Sequence, residues 1–245
     1  MPMRDRSWKI EHYRSVAHRG LHDNEGGIPE NSRPAFVRAA EAGLAVEFDV
    51  HITADGQLAV FHDSELKRMT GVPGILEEWS LADLQKLRLL GTEETIPTLD
   101  QVLEVVEGRV PMLIEIKCWP QTAVGRLEPV LLQRLLRVRG EFILESFNPK
   151  VLLWLRRYAP QYIRGQLGSF DPKYPKFAAF CREALVNPAT RPDFVAFDID
   201  DLDEHTCETC RKHQVPLLAW TVKTPQQLEK ARRLCDGVIF ESIEP

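Results

Sequence analysis

Val46-Glu47-Phe48-Asp49-Val50-His51-Ile52-Thr53, followed by Ala54-Asp55-Gly56-Gln57 and Leu58-Ala59-Val60-Phe61-His62-Asp63, is the stretch whose reading decides the fold. Apolar residues at 46, 48, 50 and 52 alternate with Glu47, Asp49 and His51, a period of two that predicts a strand. Its polar face carries Glu47, Asp49 and His51 in line. Asp55-Gly56 is a signal for a two-residue hairpin turn, whose central residues both need positive φ. With Ala54 opposite Gln57, the pairing runs through Thr53–Leu58 and Val50–Phe61 to Asp49–His62. His62 then stands across from Asp49 on the same face, and a slip of one residue would reverse that. His51 lies a step further out on the arm and is expected at the surface.

Upstream, the apolar run Ser15-Val16-Ala17 ends in His18-Arg19, and Gly20 lets the chain turn away. A helix is expected from about Arg33 to Gly43, capped by Asn31 or Ser32, with Pro34 presetting φ near its start. Strand, helix and strand make a parallel unit whose strand ends open on one side. His18, Arg19, Glu47, Asp49 and His62 are therefore expected to converge on one mouth.

The remainder keeps a regular beat. Helices are expected near 80–90, 99–107, 122–138, 149–158, 173–185, 203–213 and 225–234. Counting Leu58–His62 as a hairpin extension, the staves fall at 15–19, 45–50, 112–117, 142–147, 163–167, 194–198, 216–222 and 237–240. Eight strands alternating with helices predict an α/β fold of the (β/α)8 TIM-barrel class, with candidate residues at the strand C-termini. The 245 residues fit one undivided domain, and 63–79, with Gly71, Pro73 and Gly74, reads as a short lid over the mouth.

Composition narrows the partners. A formal net charge of −5 argues for neither nucleic acid nor an anionic membrane surface. No apolar run approaches a membrane span, and the N-terminal residues lack a signal-peptide core. Five cysteines, an odd number, read as reduced thiols, so a cytoplasmic location is expected. Cys207-x-x-Cys210 lies between His205 and His213, too far apart on one helix for both to join a zinc ion, and reads as ordinary helix.

Glu47, Asp49 and Glu115 place three carboxylates in one mouth, and clustered anions repel unless a cation sits among them. All-oxygen ligation suits one divalent cation, Mg2+ or Ca2+, better than zinc. Solvated strand-end charge is the plain alternative, and the company of His18 and His62 favours the metal. Two histidines at one rim make a general acid–base pair, either of which can be acid or base. Arg19 and Lys117 suit phosphate oxygens, although Lys117 also reads as the neutraliser of Glu115. Trp220 reads equally as a platform for the alcohol part of a substrate or as packing. Asp63 either orients His62 or begins the lid, and Glu30 and Asn31 either support the site or belong to the helix entry. The chemistry these residues reach is metal-assisted work on a phosphate ester.

His18-Arg19-Gly20, Glu30-Asn31, Glu47-x-Asp49, Thr53-x-Asp55-Gly56 and His62-Asp63 together resemble the glycerophosphodiester phosphodiesterase family of the bacterial, single-domain type. Glu115-x-Lys117, Ser146-Phe147-Asn148-Pro149, Trp220-Thr221-Val222 and Gly237-Val238-Ile239 agree with it in order. Ser32 stands where the family usually has Thr, and Phe240 to Pro245 replaces its usual Thr-Asp ending. The resemblance implies the same three metal ligands and a small-molecule glycerophosphodiester substrate, cleaved to sn-glycerol 3-phosphate and an alcohol. In the expected reaction one histidine takes the proton of the attacking glycerol hydroxyl and the other protonates the departing alcohol. The nearest rival is a phosphoinositide-type phospholipase on the same barrel, which an apolar lid rim would favour. A binding barrel without turnover would be favoured by loss of a histidine or carboxylate, and none is lost.

Overall fold

The computed structural model describes residues 9–118, 123–170 and 188–245. Its nine strands, eight of them parallel staves and one a reversed arm, alternate with helices in the (β/α)8 class with one added strand. The chain divides into two compact bodies, one formed by Ala17–Phe142 and the other by the residues before it together with Ile143–Pro245.

The first body holds the end of β1 (Ser15–Ala17), then α1 (Arg33–Glu41), β2 (Ala45–Ile52) and β3 (Leu58–Val60). After these come two single-turn helices, α2 (Lys67–Thr70) and α3 (Leu81–Leu84), then α4 (Leu99–Val106), β4 (Met112–Ile116) and α5 (Leu127–Leu135). Every residue of β2 is buried: on its apolar face Phe48 packs edge-on against Phe36 of α1, and its polar face carries Glu47 and Asp49 against Glu115 of the neighbouring β4 and Lys117 just beyond it. β2 and β4 run parallel with Glu47 beside Leu113 and Asp49 beside Glu115. Thr98 caps α4 in a capping box with Gln101. The helix expected over 80–90 is only the turn Leu81–Leu84, capped by Ser80.

The expected hairpin register is wrong by one residue. Val50 pairs with Val60, His51 with Ala59 and Ile52 with Leu58. The loop has three residues and not two: Gly56 N–H donates to Thr53 O, and Gly56 sits at φ +75°. Thr53 Oγ1 donates to Asp55 Oδ1 at 2.5 Å and accepts from Gln57 N–H at 2.9 Å, holding this bulged turn. A three-residue loop closed by one left-handed glycine therefore replaces the tighter turn. Phe61, not His62, lies across from Asp49, its N–H donating to Asp49 O at 3.1 Å.

Segment 63–79 is tied to itself by Leu66 N–H to Gly74 O and Leu76 N–H to Ser64 O. Its Leu66, Met69 and Leu76 are buried in a cluster with Phe61, Leu84, Leu89 and Ile96. The apolar rim that a membrane lipid would need is thus folded inward at these three positions.

The second body contains β5 (Phe142–Ser146), whose first residue belongs to the other body, then α6 (Pro149–Tyr158), β6 (Arg164–Gly168) and β7 (Phe194–Asp198). It ends with α7 (Glu204–His213), β8 (Leu217–Val222), α8 (Pro225–Leu234) and β9 (Gly237–Phe240). β5 to β9 are neighbours in chain order and parallel throughout. Asn148, Asp203 and Thr224 cap α6, α7 and α8 through side-chain acceptors. The helix expected over 173–185 lies outside the described residues. Among the described residues no helix is long and apolar enough to cross a membrane.

Candidate active site

Adjacent parallel strands build the acidic centre. The register sets Asp49 of β2 beside Glu115 of β4, and Glu47 is one pleat back on the same face of β2. Ligand oxygens of Glu47, Asp49 and Glu115 lie within 4.8 Å of one another, and all three residues are buried. Among the described residues this is the one such group of metal-type donors.

Cations line the cluster. Lys117, one residue beyond β4, continues the ladder through its N–H to Val50 O. Its Nζ lies 2.8 Å from both Asp49 Oδ1 and Glu115 Oε2. Burial disfavours the ammonium, but the two carboxylates outweigh it and hold Lys117 charged above its usual range. Burial likewise opposes ionisation of Asp49, yet Lys117, His62 and Arg19 keep it well below the usual carboxylate range. Glu115 goes the other way: burial pushes it up, and the charge of Asp49 adds to the rise despite Lys117. With all three ionised, the buried carboxylates outnumber Lys117 and Arg19 and leave surplus negative charge, which is why Glu115 holds its proton more tightly. That surplus and the all-oxygen donor set fit a hard divalent cation.

His18 and Arg19 follow β1 in a tight turn. Arg19 has φ +54° and Gly20 φ +79°, and a Cβ on Gly20 would lie 2.9 Å from the backbone of Ala35. The turn aims the Arg19 N–H at Glu47 Oε2, 3.0 Å away, and brings His18 Nε2 to 3.7 Å from the same oxygen. The Arg19 guanidinium lies 2.7 Å from Glu30 Oε1 and 3.6 Å from Asp49 Oδ2. Ser32 stands at the N-cap of α1, but neither its side chain nor that of Asn31 makes a capping bond. The Asn31 amide donates to Asp49 Oδ2 at 2.8 Å, and the Ser32 hydroxyl donates to Pro29 O.

His62 reaches the cluster by a route the expected register did not provide. β3 ends at Val60, and the bend after it brings the His62 charge within range of Asp49. Burial lowers its proton affinity, with Asp49 and Asp63 pulling the other way and Lys117 reinforcing the fall. Its Nδ1 is 2.6 Å from Asp63 Oδ1, so Asp63 orients the ring. His51, expected at the surface, is wholly buried, its Nδ1 2.7 Å from Glu77 Oε1 and its Nε2 3.2 Å from His62 O.

The sequence reading also missed Arg68 of α2, which bonds both Glu30 and Asp63. Only the folded segment brings it there, and no spacing signal marks it. Trp220 belongs to the second body, edge-on to Phe147 with centroids 5.5 Å apart, its indole N–H buried with no hydrogen-bond partner among the described residues. Cys207 and Cys210 are buried on α7, with burial pushing the Cys210 thiol up to about 12.

A parallel-strand scaffold whose strand ends carry buried carboxylates, two cations and two histidines defines a hydrolase of phosphoric diesters. Residues 18–244 match the glycerophosphoryl diester phosphodiesterase family, and the chain belongs to it. It is similar to a glycerophosphodiester phosphodiesterase of Caldanaerobacter subterraneus, 29% identical over 94% of each chain. Among solved structures it is similar to a glycerophosphodiester phosphodiesterase of Thermotoga maritima, with TM-score 0.70, 27% identity and 94% of each chain covered. It is also similar to an Oleispira antarctica phosphodiesterase solved with its product sn-glycerol-3-phosphate. There the TM-score is 0.76 and the identity 22%, over 93% of this chain and 92% of the other.

Proposed function

We propose that the protein hydrolyses glycerophosphodiesters to sn-glycerol 3-phosphate and an alcohol, using His18 and His62 as its proton-transfer pair. The pairing of Asp49 with Glu115 beside Glu47 carries this reading, since it gathers three carboxylates that could hold a cation near two histidines. Mg2+ or Ca2+ held by Glu47, Asp49 and Glu115 would supply Lewis-acid polarisation of a phosphoryl oxygen.

The side chains divide the remaining work. Arg19 and Lys117 hold the phosphoryl oxygens and the charge that grows on them. His18 accepts the proton of the glycerol 2-hydroxyl as that oxygen bonds to phosphorus. The bond from phosphorus to the alcohol breaks, and the alcohol oxygen takes the proton from His62 Nε2. Asp63 at Nδ1 keeps Nε2 as the exchanging atom. Water then opens the cyclic phosphate, giving its proton to His62, while His18 returns its proton to the 2-oxygen. Residues 63–79 form the rim of the mouth within one catalytic domain, and the odd count of five cysteines supports a reducing cytoplasmic setting.

The test is release of glycerol 3-phosphate from glycerophosphocholine and glycerophosphoethanolamine with Mg2+, Ca2+ or EDTA, beside His18→Ala and Glu47→Ala. Cation-dependent turnover lost in both variants supports site and substrate together. Turnover of an aryl phosphodiester alone removes the substrate assignment, and no turnover of any ester by the folded protein removes the catalytic one.

A further inference from the structure

Residues adjacent in an extended chain point to opposite sides, so a bond between the side chains of His62 and Asp63 does not follow from their adjacency. Something must hold Asp63 turned toward the ring. Arg68 is placed to do so. Its Nε lies 2.6 Å from Asp63 Oδ2 and its Nη2 3.1 Å from Asp63 Oδ1. On its other edge Nη1 and Nη2 lie 2.9 and 2.6 Å from Glu30 Oε2 and Oε1.

Glu30 is a firm anchor. It is buried, its N–H donates to Asn24 Oδ1 at 2.8 Å, and its carboxylate accepts from Asn24 Nδ2 and Arg19 Nη1. The path from Arg19 through Glu30, Arg68 and Asp63 to His62 Nδ1 is therefore unbroken. Each end of the guanidinium meets a carboxylate in a two-bond fork, which a planar five-donor group can do and an ammonium cannot.

We propose that Arg68 is a positioning residue for His62: braced on Glu30, it holds Asp63 in the orientation that fixes the imidazole and presents Nε2 for proton exchange. This rests on the two-histidine reading above. Arg68 belongs to the 63–79 segment, so the same brace makes productive placement of His62 depend on that segment being folded down.

The experiment measures kcat and KM on glycerophosphocholine for Arg68→Met, Arg68→Lys, Asp63→Asn, His62→Ala and the double variant Arg68→Met/His62→Ala. Arg68→Met and Arg68→Lys are expected to lower kcat roughly 10- to 100-fold, the range for a group that orients a working histidine, with KM moving less than about 3-fold. In the His62→Ala background the further loss is expected to stay under about 2-fold, because the effect of Arg68 runs through that ring. An equal loss in both backgrounds, or an unchanged kcat, overturns the proposal. NMR of the His62 ring gives a readout independent of turnover. Its Nδ1–H signal is expected in the wild type and lost in Arg68→Met, and its persistence in the variant overturns the brace. Undiminished turnover by His62→Ala overturns the two-histidine reading, while the NMR result still decides whether Arg68 holds the ring.

Discussion

Lys117 carries its ammonium 2.8 Å from Oδ1 of Asp49, and both side chains are buried. The pair joins neighbouring strands at the centre of the acidic cluster, where Lys117 also meets Glu115. It is the internal counter-charge that lets three carboxylates fold together before any ion arrives.

Removing that counter-charge leaves buried carboxylates uncompensated. Lys117→Met is expected to lower stability by about 3–5 kcal/mol in urea melts run with EDTA. Saturating Mg2+ or Ca2+ is expected to restore part of the loss, and a variant as stable as wild type in EDTA would contradict the role given to Lys117.

A cation that binds only the folded cluster raises the melting temperature. Wild type is expected to melt higher in millimolar Mg2+ or Ca2+ than in EDTA. Glu47→Gln and Glu115→Gln are expected to lose that difference while remaining folded. A wild type indifferent to every divalent cation would remove the cluster as a metal site.

Glu30 ties acid stability to the same region. Burial by itself would raise its pKa, but the Arg68 hydrogen bonds and the charges of Arg19 and Arg68 outweigh that and hold it at about 2, against an ordinary 4.5. A folded pKa below the unfolded one stabilises above the unfolded value, and the contribution fades as pH falls through the folded value. Glu30→Gln is thus expected to be less stable than wild type at pH 7, by on the order of 2 kcal/mol. The gap should close between pH 4.5 and about 2. Chemical melts across that window test it, and a gap that stays constant would mean the carboxyl is not held down.

His51 links Glu77 to the carbonyl of His62 from a wholly buried position. His51→Leu removes a hydrogen bond to a carboxylate and is expected to cost about 2 kcal/mol in denaturant melts. Hydrogen exchange is expected to speed up in 63–79, where Glu77 lies, more than in β4. Uniform acceleration would show only global destabilisation.

Local alternation was readable where chemistry and period coincide. Glu47 and Asp49 fall on one face because successive residues of a strand alternate, whatever surrounds them. The turn was less readable. Asp55-Gly56 signalled a hairpin, but Thr53 Oγ1 bonding Asp55 and Gln57 selected the three-residue form and moved the register by one. His51 looked peripheral because its distance along the arm was visible and its cover, Glu77 from the following segment, was not.

By itself, then, the sequence determined the alternation of strands and helices, the residues lying on the polar face of β2 and at its neighbours' ends, and the family to which their order belongs. These rest on backbone periodicity and on side-chain chemistry, both local to the chain. Tertiary structure alone decided which charges pair. The register that sets Asp49 beside Glu115, the turn that brings the Arg19 N–H to Glu47, and the Arg68 brace between Glu30 and Asp63 join residues far apart in sequence. Their protonation follows from burial and from those partners, which exist only once the chain has folded.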